Sequence, residues 1–191
     1  MSTSSQSTAG TRLGVNDWVT AGLELLADEG IAGVKIQRLC ERLGVTKGSF
    51  YWHFTDLDAF LGAMAKHWED GARIFRDRFS EMSNKDAKQT LVDAVMTSYQ
   101  TRLGRLERAM RDWARSDSRA AAAIQASDAL SFAAIANSFE LLGFTHDEAN
   151  VRAKTLFYAG VGFSDAGPRL GDQADPQGQL RAMLELLTKR D

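Results

Sequence analysis

Only two prolines, Pro168 and Pro176, interrupt a chain of 191 residues. Proline removes a backbone donor and clashes with the preceding helical turn. A chain this free of it can run as helix almost throughout. Ala, Leu, Arg, Glu and Met are plentiful and favour helix. The long alternating Val/Ile/Thr runs that mark strands are absent. The expected fold class is all-α, with about nine helices. Hydrophobic residues make up 44% of the chain, enough to bury a substantial core.

Apolar spacing and cap residues divide the chain. A first helix is expected over 17–29, capped by Asn16 and stopped by Gly30, with Trp18, Ala21, Gly22, Leu25 and Leu26 on one face. A second, over 35–43, buries Ile36, Leu39, Cys40 and Leu43 and ends at Gly44. Thr46 caps a third, very short helix over 47–52. A fourth starts near Asp56 with Thr55 as its cap. Leu57, Phe60, Leu61, Met64, Trp68, Phe75, Phe79 and Met82 hold one stripe along it until 83–86, long enough to bridge two domains. Leu91, Val95, Tyr99 and Leu103 mark a fifth helix, and Leu106, Met110 and Trp113 a sixth. An alanine-rich seventh covers 119–142. Thr145 and Glu148 form a capping box that opens an eighth, reaching about Phe163. Residues 164–177, with both prolines, are expected as a loop before a last helix over 179–189.

Several function classes are excluded by what the chain lacks. The single cysteine, Cys40, permits no intrachain disulfide and suits a reducing compartment. No apolar run approaches the roughly 18 residues of a membrane span. The polar start, residues 1–12, lacks a signal peptide's apolar stretch and is expected to be a disordered tail. The expected location is cytoplasmic. His53, His67 and His146 are too scattered for a metal site, and no nucleophile–base pair or phosphate loop is present. Neither an enzyme nor a cofactor is expected.

Residues 35–54 carry the chemistry. Two short helices joined by the tight turn Gly44-Val45-Thr46 make a helix-turn-helix. Cys40 is the small residue wanted where the helices touch. Ile36, Leu39, Leu43, Val45 and Phe50 supply the buried side. Thr46, Lys47, Gly48, Ser49, Tyr51, Trp52 and His53 cannot all be core. Gly48 lets the backbone come close to DNA, and Lys47 can reach a base edge or a phosphate. Thr46 and Ser49 can donate to phosphate or contact bases. Tyr51 and His53 offer donors that reach phosphates. Trp52 can lie on a thymine methyl or the sugar–phosphate wall. Lys35 and Arg38 would grip the backbone beside the groove. The partial positive charge of a helix N-terminus also favours phosphate. Alone, Tyr51-Trp52-His53 could equally be a structural aromatic cluster.

The run LGVTKGSFYWHF, followed by a helix opening TDLDAFL, resembles the tetracycline-repressor (TetR) family of regulators. The resemblance covers residues 13–61. It implies a helix-turn-helix DNA-binding domain (13–56) and a helical regulatory and dimerisation domain (57–191). It also implies a homodimer whose last two long helices pair with their mates, and a small-molecule effector held in the C-terminal domain. Effector binding there would shift the two heads apart, so that the protein leaves a palindromic operator on double-stranded DNA. The expected function is a ligand-responsive regulator acting as a repressor. The competing reading is a helical small-molecule-binding protein without DNA recognition.

That competitor draws on charge. Residues 1–55 hold five basic side chains (Arg12, Lys35, Arg38, Arg42, Lys47) and five acids (Asp17, Glu24, Asp28, Glu29, Glu41). The head is not basic overall. The expectation is that the acids lie on the first helix, away from DNA, and that binding rests on a few placed contacts weakened by salt.

The remaining sites are less sharply marked. The resemblance implies a cavity among the fifth to eighth helices, for which Met96, Tyr99, Trp113, Phe132, Asn137 and Phe157 are candidates, Trp113, Tyr99 and Asn137 foremost. For any single one of these residues plain core is the better explanation, although the resemblance implies that some of them line the cavity. Their aromatic, weakly charged character leans toward an apolar or aromatic effector. Candidates for the dimer interface are Ala153, Phe157, Gly160, Val161, Leu180, Met183, Leu184 and Leu187. Cys40 is expected to be packed rather than a redox switch.

Overall fold

A computed structural model describes residues 13–83, 87–88, 91–92, 102–166 and 175–189. All regular structure in these residues is helical: α1 (Val15–Glu29), a 3₁₀ turn (Ile31–Gly33), α2 (Ile36–Leu43), α3 (Lys47–His53), α4 (Leu57–Ser83), α5 (Arg102–Ala114), α6 (Ser118–Leu141), α7 (His146–Ala166) and α8 (Pro176–Thr188). The expected tail, Met96, Tyr99 and most of the expected fifth helix lie outside the described residues. Leu103 belongs to α5, beside Leu106.

Caps correct several expected boundaries. α1 starts two residues early, and Asn16 lies in its first turn instead of capping it. The cap is Gly14, whose N–H donates to the Asp17 carboxylate at 2.7 Å. Asp56, not Thr55, receives the free Ala59 N–H of α4, at 2.8 Å. The capping box of α7 forms as expected: the Thr145 N–H donates to Glu148 at 2.9 Å, and the Glu148 N–H reaches the Thr145 hydroxyl at 3.4 Å. α8 reaches back into the expected loop, because Pro176 suits a first helical turn and Asp175 accepts from the Gly178 N–H at 2.8 Å.

Packing joins the head to the rest. One core holds Trp18, Leu25, Leu26, Leu39, Phe50, Phe54, Phe60 and Met64 together with Met110 and Trp113 of α5 and Ala120, Ala123 and Ile124 of α6. A second gathers Leu91, Ala136, Phe139, Phe144, Ala149, Ala153, Leu156 and Leu184. α6 therefore runs through both, its first half on the head side and its second half under α7. α1 and α4 approach each other closely at Gly22. A Cβ at Gly22 would stand 2.5 Å from Phe60 Cζ and 2.8 Å from Met64 Sδ.

Polar links pin α4 to α6. The Trp68 indole N–H donates to Ser127 Oγ at 3.2 Å. Arg119, near the start of α6, donates to the Asp58 carbonyl at 2.9 Å and pairs with its carboxylate at 2.9 Å. Between α5 and α6, Arg111 bridges Asp128 (2.7 Å) and Glu107 (2.8 Å). Burial opposes the Arg111 charge, but its carboxylate partners outweigh that and raise its pKa.

Asp117 is the N-cap of α6. The Arg119 side chain, with the N–H groups of Arg119 and Ala120, holds its carboxyl at about 2 against the cost of burial. The folded pKa is depressed, so this stabilisation is complete above the unfolded value of about 3.9 and fades as pH falls toward the folded one. Asp117→Ala removes a cap worth about 1 kcal/mol. Calorimetry near neutral pH is expected to show Tm lowered by about 2–4 °C. The difference from the parent protein narrows as the pH is taken below about 4.

Candidate nucleic-acid interface

α2 ends because Gly44 takes φ +66°, a left-handed backbone that a side chain disfavours. The Val45 N–H then closes on the Cys40 carbonyl at 3.0 Å. This turn throws α3 across α2, with Cys40 buried near the crossing. Burial pushes the Cys40 thiol up, so it stays protonated and poorly nucleophilic.

α3 is fastened through one aromatic residue. Phe50 is fully buried, with ring centroids 5.5 Å from Trp18, 5.3 Å from Phe54 and 5.7 Å from Phe60. Helical periodicity then turns the neighbouring positions outward. Tyr51 is 56% and Trp52 69% exposed, unusual for large rings. Thr46, Lys47 and Gly48 are exposed, and Ser49 is half-buried. Thr46 sits at the N-cap of α3, yet its side chain makes no capping hydrogen bond. A Cβ at Gly48 would meet only the Thr46 hydroxyl at ordinary contact, 3.6 Å, so the chain's own packing does not demand glycine there. His53 is half-buried, its ring 6.3 Å from Trp18 and 5.0 Å from Trp52. Of the aromatic triplet, Tyr51 and Trp52 face outward while His53 leans on the core.

The charges are arranged differently from expectation. Lys35 and Lys47 are exposed, and neither forms an ion pair with the described residues. Arg38 is not a free phosphate grip: it pairs with Glu29 of α1 and, at 3.1 Å, with Glu41. Arg42 pairs with Glu24 at 3.0 Å and Asp28 at 3.1 Å. Four of the five acids do sit on α1, but three of them, Glu24, Asp28 and Glu29, reach α2 rather than standing apart from it. Glu41 lies on α2 itself and is also held by Gln37 at 2.9 Å. Hydrogen bonds from Gln37 and then Arg38 lower the pKa of Glu41 and keep it ionised. Sequence reasoning missed these pairs, because partners as far apart as Glu24 and Arg42 leave no local signal.

Residues 19–64 match the family model described as bacterial regulatory proteins, tetR family. Over these residues the head is similar to the N-terminal domain of tetR-family regulators. The TetR-type head is 41% identical over 56 residues to the class A tetracycline repressor from transposon 1721 of Escherichia coli. That match covers 29% of this chain and 26% of the repressor. It is 46% identical over 48 residues to the E. coli class C repressor, covering 25% and 22%. The matched segment thus spans about a quarter of each repressor's length. The whole fold is similar to solved TetR-like structures. A Rhodococcus transcriptional regulator aligns with TM-score 0.71 and 20% identity over 92% of this chain and 94% of its own. E. coli NemR in reduced form gives 0.69 and 16% over 91% and 96%. Bacillus subtilis FadR in complex with stearoyl-CoA gives 0.64 and 14% over 92% and 98%. At these identities the likeness is one of fold.

Outside the head, the candidate residues scatter. Trp113 is buried in the head-side core. Phe132 is half-buried against the second core, and Asn137 is exposed, so it is not a buried polar tip in need of a partner. Phe157 is half-buried with its ring edge-on to Tyr158 at 5.9 Å. Among the interface candidates, Ala153, Leu180 and Leu184 are buried within this chain. Gly160, Val161, Met183 and Leu187 are half-buried. Among the described residues, the large outward apolar side chains of the last two helices are Val151, Tyr158 and Leu186, none of which the sequence singled out. Arg152 ties these helices together, donating to the Leu187 carbonyl at 2.8 Å with its guanidinium 4.1 Å above the Phe144 ring. No described helix is long and apolar enough to cross a membrane.

Proposed function

We propose that the chain is a homodimeric transcriptional repressor. It binds a palindromic operator through residues 13–56 and is released when an apolar or aromatic small molecule enters the helical domain formed by 57–191. The observation that carries this reading is the outward face of α3. Tyr51 and Trp52 are exposed beside Lys47 and Gly48, on a short helix fixed from behind by Phe50. Rings this exposed on a seven-residue helix add little to packing, and they suit the wall of a DNA groove. Exposed Lys35 and Thr46, with half-buried Ser49 and His53, complete the set of residues assigned to DNA contact.

The dimer surface is assigned to the outward side of α7 and α8. Val151, Thr155, Tyr158 and Gly162 recur at helical spacing and are all exposed. A Cβ at Gly160 or Gly162 meets nothing within 4 Å, which leaves room for a second helix to come close. Tyr158→Asp should therefore convert a dimer to a monomer by analytical ultracentrifugation; an unchanged sedimentation coefficient would remove this face from the assignment. The effector reading is supported by the fold shared with FadR, which was captured with stearoyl-CoA. Work in the cytoplasm, where the DNA is, follows from the role.

Selection of bound duplexes from random DNA tests the whole. A two-fold symmetric sequence is expected, with half-sites related as the two heads are. Compounds that release it can then be screened. Failure to enrich any duplex would favour the reading of a small-molecule binder without DNA recognition.

A further inference from the structure

We propose that Glu29 and Glu41 set the discrimination of the head against non-cognate DNA, by holding the Arg38 guanidinium in an intramolecular bracket that a phosphate must break. The inference rests on the DNA-binding reading given above.

The bracket is built from two directions. Glu29, the last residue of α1, accepts from Arg38 Nη2, and Glu41, on α2, accepts from Nη1 at 3.1 Å. Glu41 is itself steered by Gln37, whose amide donates to its other oxygen at 2.9 Å. Two carboxylates thus face one guanidinium, and the cluster carries net negative charge. Arg42 cannot compensate, because Glu24 and Asp28 bracket it in the same way. The cations of α2, α3 and their caps that no described carboxylate engages are Lys35 and Lys47.

The consequence follows from how proteins bind arbitrary DNA. Non-specific affinity comes almost entirely from counterions released as Lys and Arg neutralise phosphates. Each cation withheld removes about 0.9 from the slope of log K against log salt. Withholding Arg38 weakens binding to arbitrary duplexes while leaving base-reading groups on α3 untouched. The bracket is also exchangeable: both partners are substantially exposed, and exposed ion pairs are weak. A phosphate fixed in place by a well-seated α3 can displace a carboxylate, whereas one passing on a poorly fitting duplex does not.

The test uses the full chain, a duplex of arbitrary sequence and a salt series. Glu29→Gln/Glu41→Gln keeps the side-chain shapes but removes their charge. It is expected to raise affinity several-fold at low salt and to steepen the slope by about 0.9 per head. In an Arg38→Ala background the same pair should leave the slope unchanged. If Glu29→Gln disturbs the end of α1, as circular dichroism would reveal, Glu41→Gln alone should still steepen the slope. The proposal is overturned if the slope does not steepen in the folded variant. It is equally overturned if it steepens as much without Arg38, since the carboxylates would then act through overall charge. Lys47→Ala/Tyr51→Ala separates the two claims. If it weakens binding while the glutamine variants change nothing, only the bracket fails; if it changes nothing either, the DNA-binding reading fails.

Discussion

Replacing Lys47 and Tyr51 together with alanine is expected to abolish operator binding while leaving the fold intact. Side-chain contacts of this kind are worth about 1–3 kcal/mol each in protein–DNA interfaces. Both are lost in each of two heads. At 1.4 kcal/mol per tenfold, affinity falls by about a thousandfold or more. Stability should barely move, because both side chains are exposed and exposed substitutions usually stay within about 0.5 kcal/mol. The small loss comes from Tyr51, whose ring meets Phe50 edge-on at 5.5 Å. A gel-shift titration beside a thermal melt distinguishes this from unfolding. An unchanged midpoint in the titration would remove these residues from the interface.

Trp113→Ala has the second large effect, on stability. Trp113 is 2% exposed and belongs to the core shared by the head, α5 and α6. Large-to-small changes of this size cost about 3–5 kcal/mol, partly through the cavity left behind. At about 2–4 °C per kcal/mol, Tm should drop by roughly 6–20 °C. Since the lost volume lies between head and regulatory helices, operator affinity should weaken at temperatures well below the melt. A Trp113→Ala protein that melts normally but responds to a different set of effectors would instead make this side chain a pocket wall.

The pattern of success along the chain has physical causes. The head was legible because its signals are local. Gly44, the Thr46 position and the alternation of Phe50 with Tyr51 and Trp52 each act within a few residues, as does the Thr145/Glu148 box that opens α7. The close α1–α4 crossing at Gly22 was invisible, since it depends on Phe60 and Met64 arriving from another helix. The bracketing of Arg38 and Arg42 was missed for the same reason. In the last helices the difficulty lies in composition. α6 is rich in alanine all round, and α7 has apolar or small residues on opposite sides. Spacing alone therefore could not separate Ala153, which turns inward, from Val151 and Tyr158, which turn outward. Asn137 looked like a buried polar tip because a polar residue among apolar ones suggests burial; on α6 it falls on the exposed side.

The salt dependence of binding to a selected duplex tests the central claim most directly. The claim is a DNA-reading head that grips with few cations. Lys35 and Lys47 from each of two heads give about four phosphate contacts and a slope of log K against log salt near −3.6. Engagement of Arg38 on the cognate sequence would steepen it by about 0.9 per head. Binding that enriches no duplex, or whose slope is close to zero, would contradict the account.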